Sequence, residues 1–133
     1  MAFQFSVAAR NAALDAIETA AGTAPTLTIR TGSAPADCAA ANSGTVLVTI
    51  NLPSDWLGAA SGGAKTLLGT WQDTAADATG TAAHFRINQG ATCHLQGTVT
   101  ATGGGGDMTL DNVSIATGQQ VTITAFTLTA GGA

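Results

Sequence analysis

The chain has 133 residues, of which 45% are hydrophobic and only 9% are charged, and its formal net charge is -4. That length fits one domain of about 100–150 residues, and 4 basic against 8 acidic residues exclude a basic nucleic-acid-binding face. No apolar run reaches the ~20 residues that a membrane-spanning helix needs, and setting aside Ala and Cys leaves 30 large hydrophobic residues, enough for one thin core.

Phe3 and Phe5 stand two apart, as in a short extended arm with one apolar face. From Val7 to Ala21 the chain is Ala-rich without Gly or Pro, which predicts a helix. Ser6 is placed to cap its start and Gly22 to close its end. Leu14, Ile17 and Ala21 form one stripe to bury, with Arg10, Asp15 and Glu18 left to face water. Residues 1–24 thus read as an arm and helix, and residues 25–133 as a β domain.

After Pro25 the period becomes two. Leu27 and Ile29 alternate with Thr26, Thr28 and Arg30 in a first strand. Val46, Val48, Ile50 and Leu52 alternate with Leu47, Thr49 and Asn51 in a second, which Pro53 stops. A short third strand is expected within Leu67–Gln72. Ala83, Phe85 and Ile87 against His84, Arg86 and Asn88 give a fourth; Cys93, Leu95, Gly97 and Val99 against His94, Gln96 and Thr98 give a fifth. The glycines at 103–106 bridge to Met108, Leu110 and a strand ending near Ile115. Gly118 marks the last hairpin, followed by inward Val121, Ile123 and Ala125 and then, in opposite parity, Phe126, Leu128 and Ala130. Such a slip is made by a β-bulge or by a strand passing from one sheet to another. About seven short strands with Gly, Asn and Pro turns predict a single mainly β domain, a β-sandwich or jelly roll with a short N-terminal α-helix. The small-residue loops 32–44 and 53–66 are long enough to bind or pack against something.

The opening residues lack the basic region and apolar core of a secretory signal. The chain therefore reads as made and first folded in a cytoplasm. Its low charge and Thr- and Gly-rich surface suit a protein packed against copies of itself or exposed outside a cell. A reducing cytoplasm favours two free thiols, with Cys93 a small core filler and Cys38 in a loop. The alternative is a single bridge closing 55 positions, worth about 4 kcal/mol in loop-closure entropy.

Catalytic chemistry has few carriers here. His84 and His94 lie on the polar faces of predicted strands and lack a third metal ligand, so both read as surface imidazoles. Asp73 with Asp77, and Asp107 with Asp111, are acid pairs four apart; neither matches a calcium loop, and turn-forming Asp is the expectation. The 103–106 glycines lack the helix and Lys-Ser/Thr of a phosphate cradle, and no Gly-x-Ser-x-Gly occurs. No catalytic residue, cofactor or metal is expected. Trp56 and Trp71 each read either as a buried lid over the end of the sandwich or as an anchor at a protein interface.

Several strings carry a further signal: Arg10-Asn11-Ala12-Ala13-Leu14-Asp15-Ala16-Ile17-Glu18, Ile29-Arg30-Thr31-Gly32-Ser33-Ala34-Pro35, Leu52-Pro53-Ser54-Asp55-Trp56, Gly69-Thr70-Trp71-Gln72-Asp73, the run from Ala78 to Ile87, and Val121-Thr122-Ile123-Thr124-Ala125-Phe126. Over most of its length the chain resembles a family of small proteins encoded among virion genes of tailed bacteriophages and prophages. The resemblance contains no catalytic motif, so no functional residue carries over. It implies a structural virion protein, foremost a capsid decoration (cement) protein binding between capsomers, with a tail or head fibre component or a receptor- or glycan-binding module as the alternative. The implied partner is a major capsid protein or tail protein, not nucleic acid or membrane. The implied state is a homo-oligomer, dimer or trimer, made in the bacterial cytoplasm and placed on the virion surface. Phe3, Phe5, Trp56 and Trp71 are the candidate interface residues.

Overall fold

Fifteen residues without a helix breaker become α1 (Val7–Ala21), the one helix among the described residues. The computed structural model describes residues 3–133; Met1 and Ala2, the start of the expected arm, lie outside them. The Ser6 hydroxyl accepts from the Ala9 N–H at 3.0 Å, and Gly22, at φ 80°, donates its N–H to the Glu18 carbonyl, so both helix ends close as the sequence predicts. Leu14 and Ala21 are buried and Ile17 is half-buried.

The acids of α1 do not simply face water. Lys65, 4% exposed, places its ammonium 2.8 Å from Asp15 Oδ1 and in direct hydrogen bond with Glu18 Oε1. Burial alone would lower the Lys65 pKa, but the two carboxylates outweigh it and the net shift is upward from 10.5. A raised folded pKa gives stability that is fully present below 10.5 and is lost as pH climbs through the folded value. Thermal melts should therefore fall as alkaline pH passes the ordinary lysine range, and Lys65→Met should flatten that fall. At neutral pH the same substitution should cost about 2 kcal/mol, less than for a fully buried pair because Asp15 can rehydrate.

Eleven short strands follow, where about seven were expected. They are β1 (Thr26–Arg30), β2 (Val46–Asn51), β3 (Ala64–Thr66), β4 (Trp71–Asp73), β5 (Gly80–Thr81), β6 (His84–Gln89), β7 (Thr92–Ala101), β8 (Met108–Leu110), β9 (Ser114–Ile115), β10 (Val121–Ile123) and β11 (Thr127–Thr129). The fold is mainly β with one short helix. A five-stranded sheet runs β2-β1-β6-β7-β8, and three two-stranded ladders pair β10 with β4, β11 with β3 and β5 with β9. The expected strand at 67–72 does not form as one piece. Gly69, at φ 76°, turns the chain there and separates β3 from β4. The β7–β8 pair is parallel, although only residues 102–107 connect the two strands; the run of glycines, with Gly103 at φ 90° and Gly105 at φ 80°, permits so tight a return.

Two irregularities redirect side chains. Ile29 faces Val48 while Arg30 faces Val46, so Leu47 is the extra residue of a bulge. It is fully buried, not on the polar face where strict alternation put it. In the β6–β7 ladder Ile87 faces Leu95 and Asn88 faces Cys93, leaving His94 unpaired. The bulge turns Cys93 from the core side to the side of Asn88. The parity break after Ile123 is a transfer between ladders: β10 pairs with β4 and β11 with β3. Phe126 is buried at the crossing, while Ala125, expected inward, is exposed.

The odd-numbered face of the main sheet (Leu27, Ile29, Phe85, Ile87) packs in one cluster with Trp56, Trp71 and Phe126. Trp71 sits at its centre, with ring centroids 6.1 Å from Trp56 and 5.3 Å from Phe126, and Phe126 meets Phe85 edge-on at 5.8 Å. Each indole N–H finds a carbonyl, Trp56 that of Gly22 at 3.1 Å and Trp71 that of Leu68 at 3.2 Å.

Candidate protein interface

The four candidate interface residues divide cleanly. Phe3 is 80% exposed and Phe5 53% exposed, and Val7 behind them is 47% exposed. Trp56 and Trp71 are both 0% exposed, so they are core side chains and present no surface to a partner. Their burial follows from their neighbours, since aromatic rings that stack on each other and bond backbone carbonyls gain more inside than at a wet rim.

The arm is rooted at three points. Phe5 N–H donates to the Gly132 carbonyl. Arg10 donates Nε to Phe5 O and Nη1 to Gly62 O, each at 3.4 Å. Asn11 Oδ1 accepts from the Gly63 N–H at 2.9 Å. Gly132, at φ 82°, lets the Phe5 ring lie against the backbone, where a Cβ would come within 2.4 Å of it. With its root fixed, the arm presents the Phe3 ring outward and the open side of the Phe5 ring beside it, on an uncharged stretch. A second surface of low charge is a groove of about 540 Å³ between β7 and β11, lined by Leu95, Gln96, Phe126 and Leu128. Its one acid, Asp107, is already engaged, accepting from Thr98 N–H at 3.0 Å and Thr98 Oγ1 at 3.1 Å.

The groups considered for chemistry are dispersed into structural work. His84 is fully buried, correcting its reading as a surface imidazole; its Nδ1 lies 2.7 Å from the Gly32 carbonyl and its Nε2 has no partner. His84 faces Thr98, four residues from His94, so the two rings are not cross-strand neighbours. Asp73 accepts from Thr49 N–H and Ala75 N–H, each at 3.0 Å, and Asp77 accepts from Thr49 Oγ1 at 2.7 Å. These two acids fasten the 73–77 segment to β2, which covers that sheet edge. Asp111 is exposed and apart from the Thr98 contacts of Asp107. Among the described residues no three of His, Cys, Asp and Glu gather as a metal site.

Sequence reasoning missed one cluster. Arg86, expected on a solvent face, is 2% exposed. It donates Nε to Gln96 Oε1 (3.0 Å), Nη1 to Ala40 O (3.1 Å) and Asn42 Oδ1 (2.9 Å), and Nη2 to Asp37 O (2.9 Å). The 32–44 loop therefore lies over the polar face of the sheet. At its middle Cys38 is bonded to Cys93, with Cα atoms 5.2 Å apart, so the two thiols are not free. The only sequence clue was the loop's length beside an Arg and a Cys on neighbouring strands.

No protein-family model, no curated protein and no solved structure matches this chain.

Proposed function

We propose that this protein is a structural component of a tailed-phage virion, a capsid decoration protein that stabilises the head by shape-matched contact between capsomers. The observation that carries the reading is the exposed Phe3–Phe5–Val7 surface on a body whose other described large apolar side chains, Leu68 aside, are buried or half-buried. The resemblance in sequence gives that surface its context. The disulfide fits a protein that persists outside a reducing cytoplasm. Asp73, Asp77 and Asp107, with His84 Nδ1, bond within the fold. In this reading the main sheet and the β10–β4 and β11–β3 ladders are the two layers of a sandwich, a rigid block with the arm at one end. Its partners are the major capsid protein and further copies of itself, as a dimer or trimer on the virion surface. Stable interfaces bury about 1,600 Å² in total; an arm of two phenyl rings supplies part of this, and repetition on a lattice adds avidity.

Particles assembled without the protein are expected to lose resistance to heat and to low ionic strength, and particles carrying the Phe3→Ala/Phe5→Ala chain should behave as if most of it were missing. Particle integrity after heating, scored by released DNA, measures both. Unchanged integrity together with lost adsorption to the host would instead identify a fibre or receptor-binding component.

A further inference from the structure

Residues 32–44 form an Ω-shaped loop whose neck is pinched by two bonds, Thr31 N–H to Thr45 O at 3.1 Å and Thr45 N–H to Thr31 Oγ1 at 2.9 Å. Gly32 (φ 77°) and Gly44 (φ 71°) stand just inside that neck. Between them the sequence is Ser-Ala-Pro-Ala-Asp-Cys-Ala-Ala-Ala-Asn-Ser, without a large apolar side chain. Hydrophobic burial therefore does little to hold the loop down. At its neck His84 Nδ1 lies 2.7 Å from the Gly32 carbonyl, and beyond the neck its attachments to the sheet are the Arg86 bonds to Asp37, Ala40 and Asn42, Gln96 Nε2 to Pro35 O at 2.8 Å, and the Cys38–Cys93 bond.

We infer that the Cys38–Cys93 bond is a redox latch on this loop: oxidised, it seals Arg86 against the sheet; reduced, the loop lifts on its glycine hinges and opens a cationic face. The polar bonds only replace bonds to water, and they must order eleven residues that gain almost no apolar burial. One covalent tie at the middle of the loop makes those bonds intramolecular over a short span. Arg86 lies beneath it, and half-buried Arg30 on the same sheet face is close enough that burial first, and the Arg86 charge second, lower the Arg30 pKa. These are two of the chain's 4 Lys and Arg residues, and neither is ion-paired among the described residues. Closing transfers two electrons and two protons from the thiols to an external disulfide of the oxidised-glutathione class, which departs as two thiols; opening is the reverse exchange with a dithiol. Cys38 and Cys93 are half-buried, so such a reagent has access. The chain thus wears one surface where it is made and another once it leaves.

Arginine-specific labelling with phenylglyoxal, read by peptide mass, tests the latch on the whole chain. Three forms are compared: oxidised protein, protein reduced with dithiothreitol and capped with iodoacetamide, and the Cys38→Ser/Cys93→Ser variant. Arg86 is expected to label at least about tenfold faster in the last two forms, with amide-exchange protection in β1 and β6 retained. Equal Arg86 labelling in all three would overturn the inference, because the polar bonds would then suffice. So would uniform loss of protection, which would make the bond a staple for the whole fold. If the double variant does not accumulate, the capped wild-type chain decides alone. No particle enters the measurement, so its result is independent of the virion reading.

Discussion

Trp71→Ala is expected to remove about 3–5 kcal/mol from the free energy of unfolding, the range for deleting a large aromatic from a packed core. That is a large part of the 5–15 kcal/mol that a domain of this kind possesses. The reason is position. Trp71 is fully buried, with rings on two sides at 6.1 Å and 5.3 Å, and it links the β4 ladder to Phe126 at the crossing between β10 and β11. Small neighbours cannot collapse into the space, since Trp56 and Phe126 are tied to other elements. Trp71→Phe should cost about 1–2 kcal/mol, keeping most ring contact while leaving the Leu68 carbonyl without its 3.2 Å donor. Urea unfolding followed by circular dichroism gives both values. A loss under about 1 kcal/mol for the alanine variant would show that the cluster repacks and that Trp71 is not its centre.

Arg86→Leu is expected to cost about 3 kcal/mol, although leucine is the more apolar side chain. The guanidinium has no carboxylate partner; its charge is spread over four neutral acceptors on Gln96, Ala40, Asn42 and Asp37. Removing it leaves those acceptors facing an apolar side chain beneath a loop that excludes water. Arg86→Lys should recover less than half of the loss, because one ammonium cannot reach three directions held by a planar fork. Equal stability of Arg86→Lys and the wild type would mean that charge alone matters and the fork geometry does not. In either variant the disulfide keeps the loop near the sheet, so the cost is expected to be local and the core transition to remain cooperative.

The parts of the fold legible from sequence were those set by short-range rules. The α1 boundaries, with Ser6 and Gly22 at its ends, came from helix propensity and capping, which depend on neighbours along the chain. The cores of β1 and β6 came from period-two alternation, and the Phe126 parity break correctly marked a change of partner strand. Alternation failed at Leu47 and Cys93, because an extra residue shifts one strand against its neighbour and nothing local announces it. It also failed at His84 and Arg86, since alternation tells which side a residue takes but not whether that side is covered.

The candidate interface followed the same division. Phe3 stands exposed and Phe5 is covered only on the side of Gly132, whereas Trp56 and Trp71 were drawn inside by one another, with Trp56 also held by the Gly22 carbonyl 34 residues away. Composition and pattern by themselves determined a mainly β chain of low charge with a capped helix and a short apolar arm. Only the tertiary structure decided that Cys38 meets Cys93 and that an arginine is sealed under a loop of small residues. The physical reason is that helix caps and strand alternation act over a few residues, whereas burial and pairing here join positions some fifty apart, and they exist only once the chain has closed on itself.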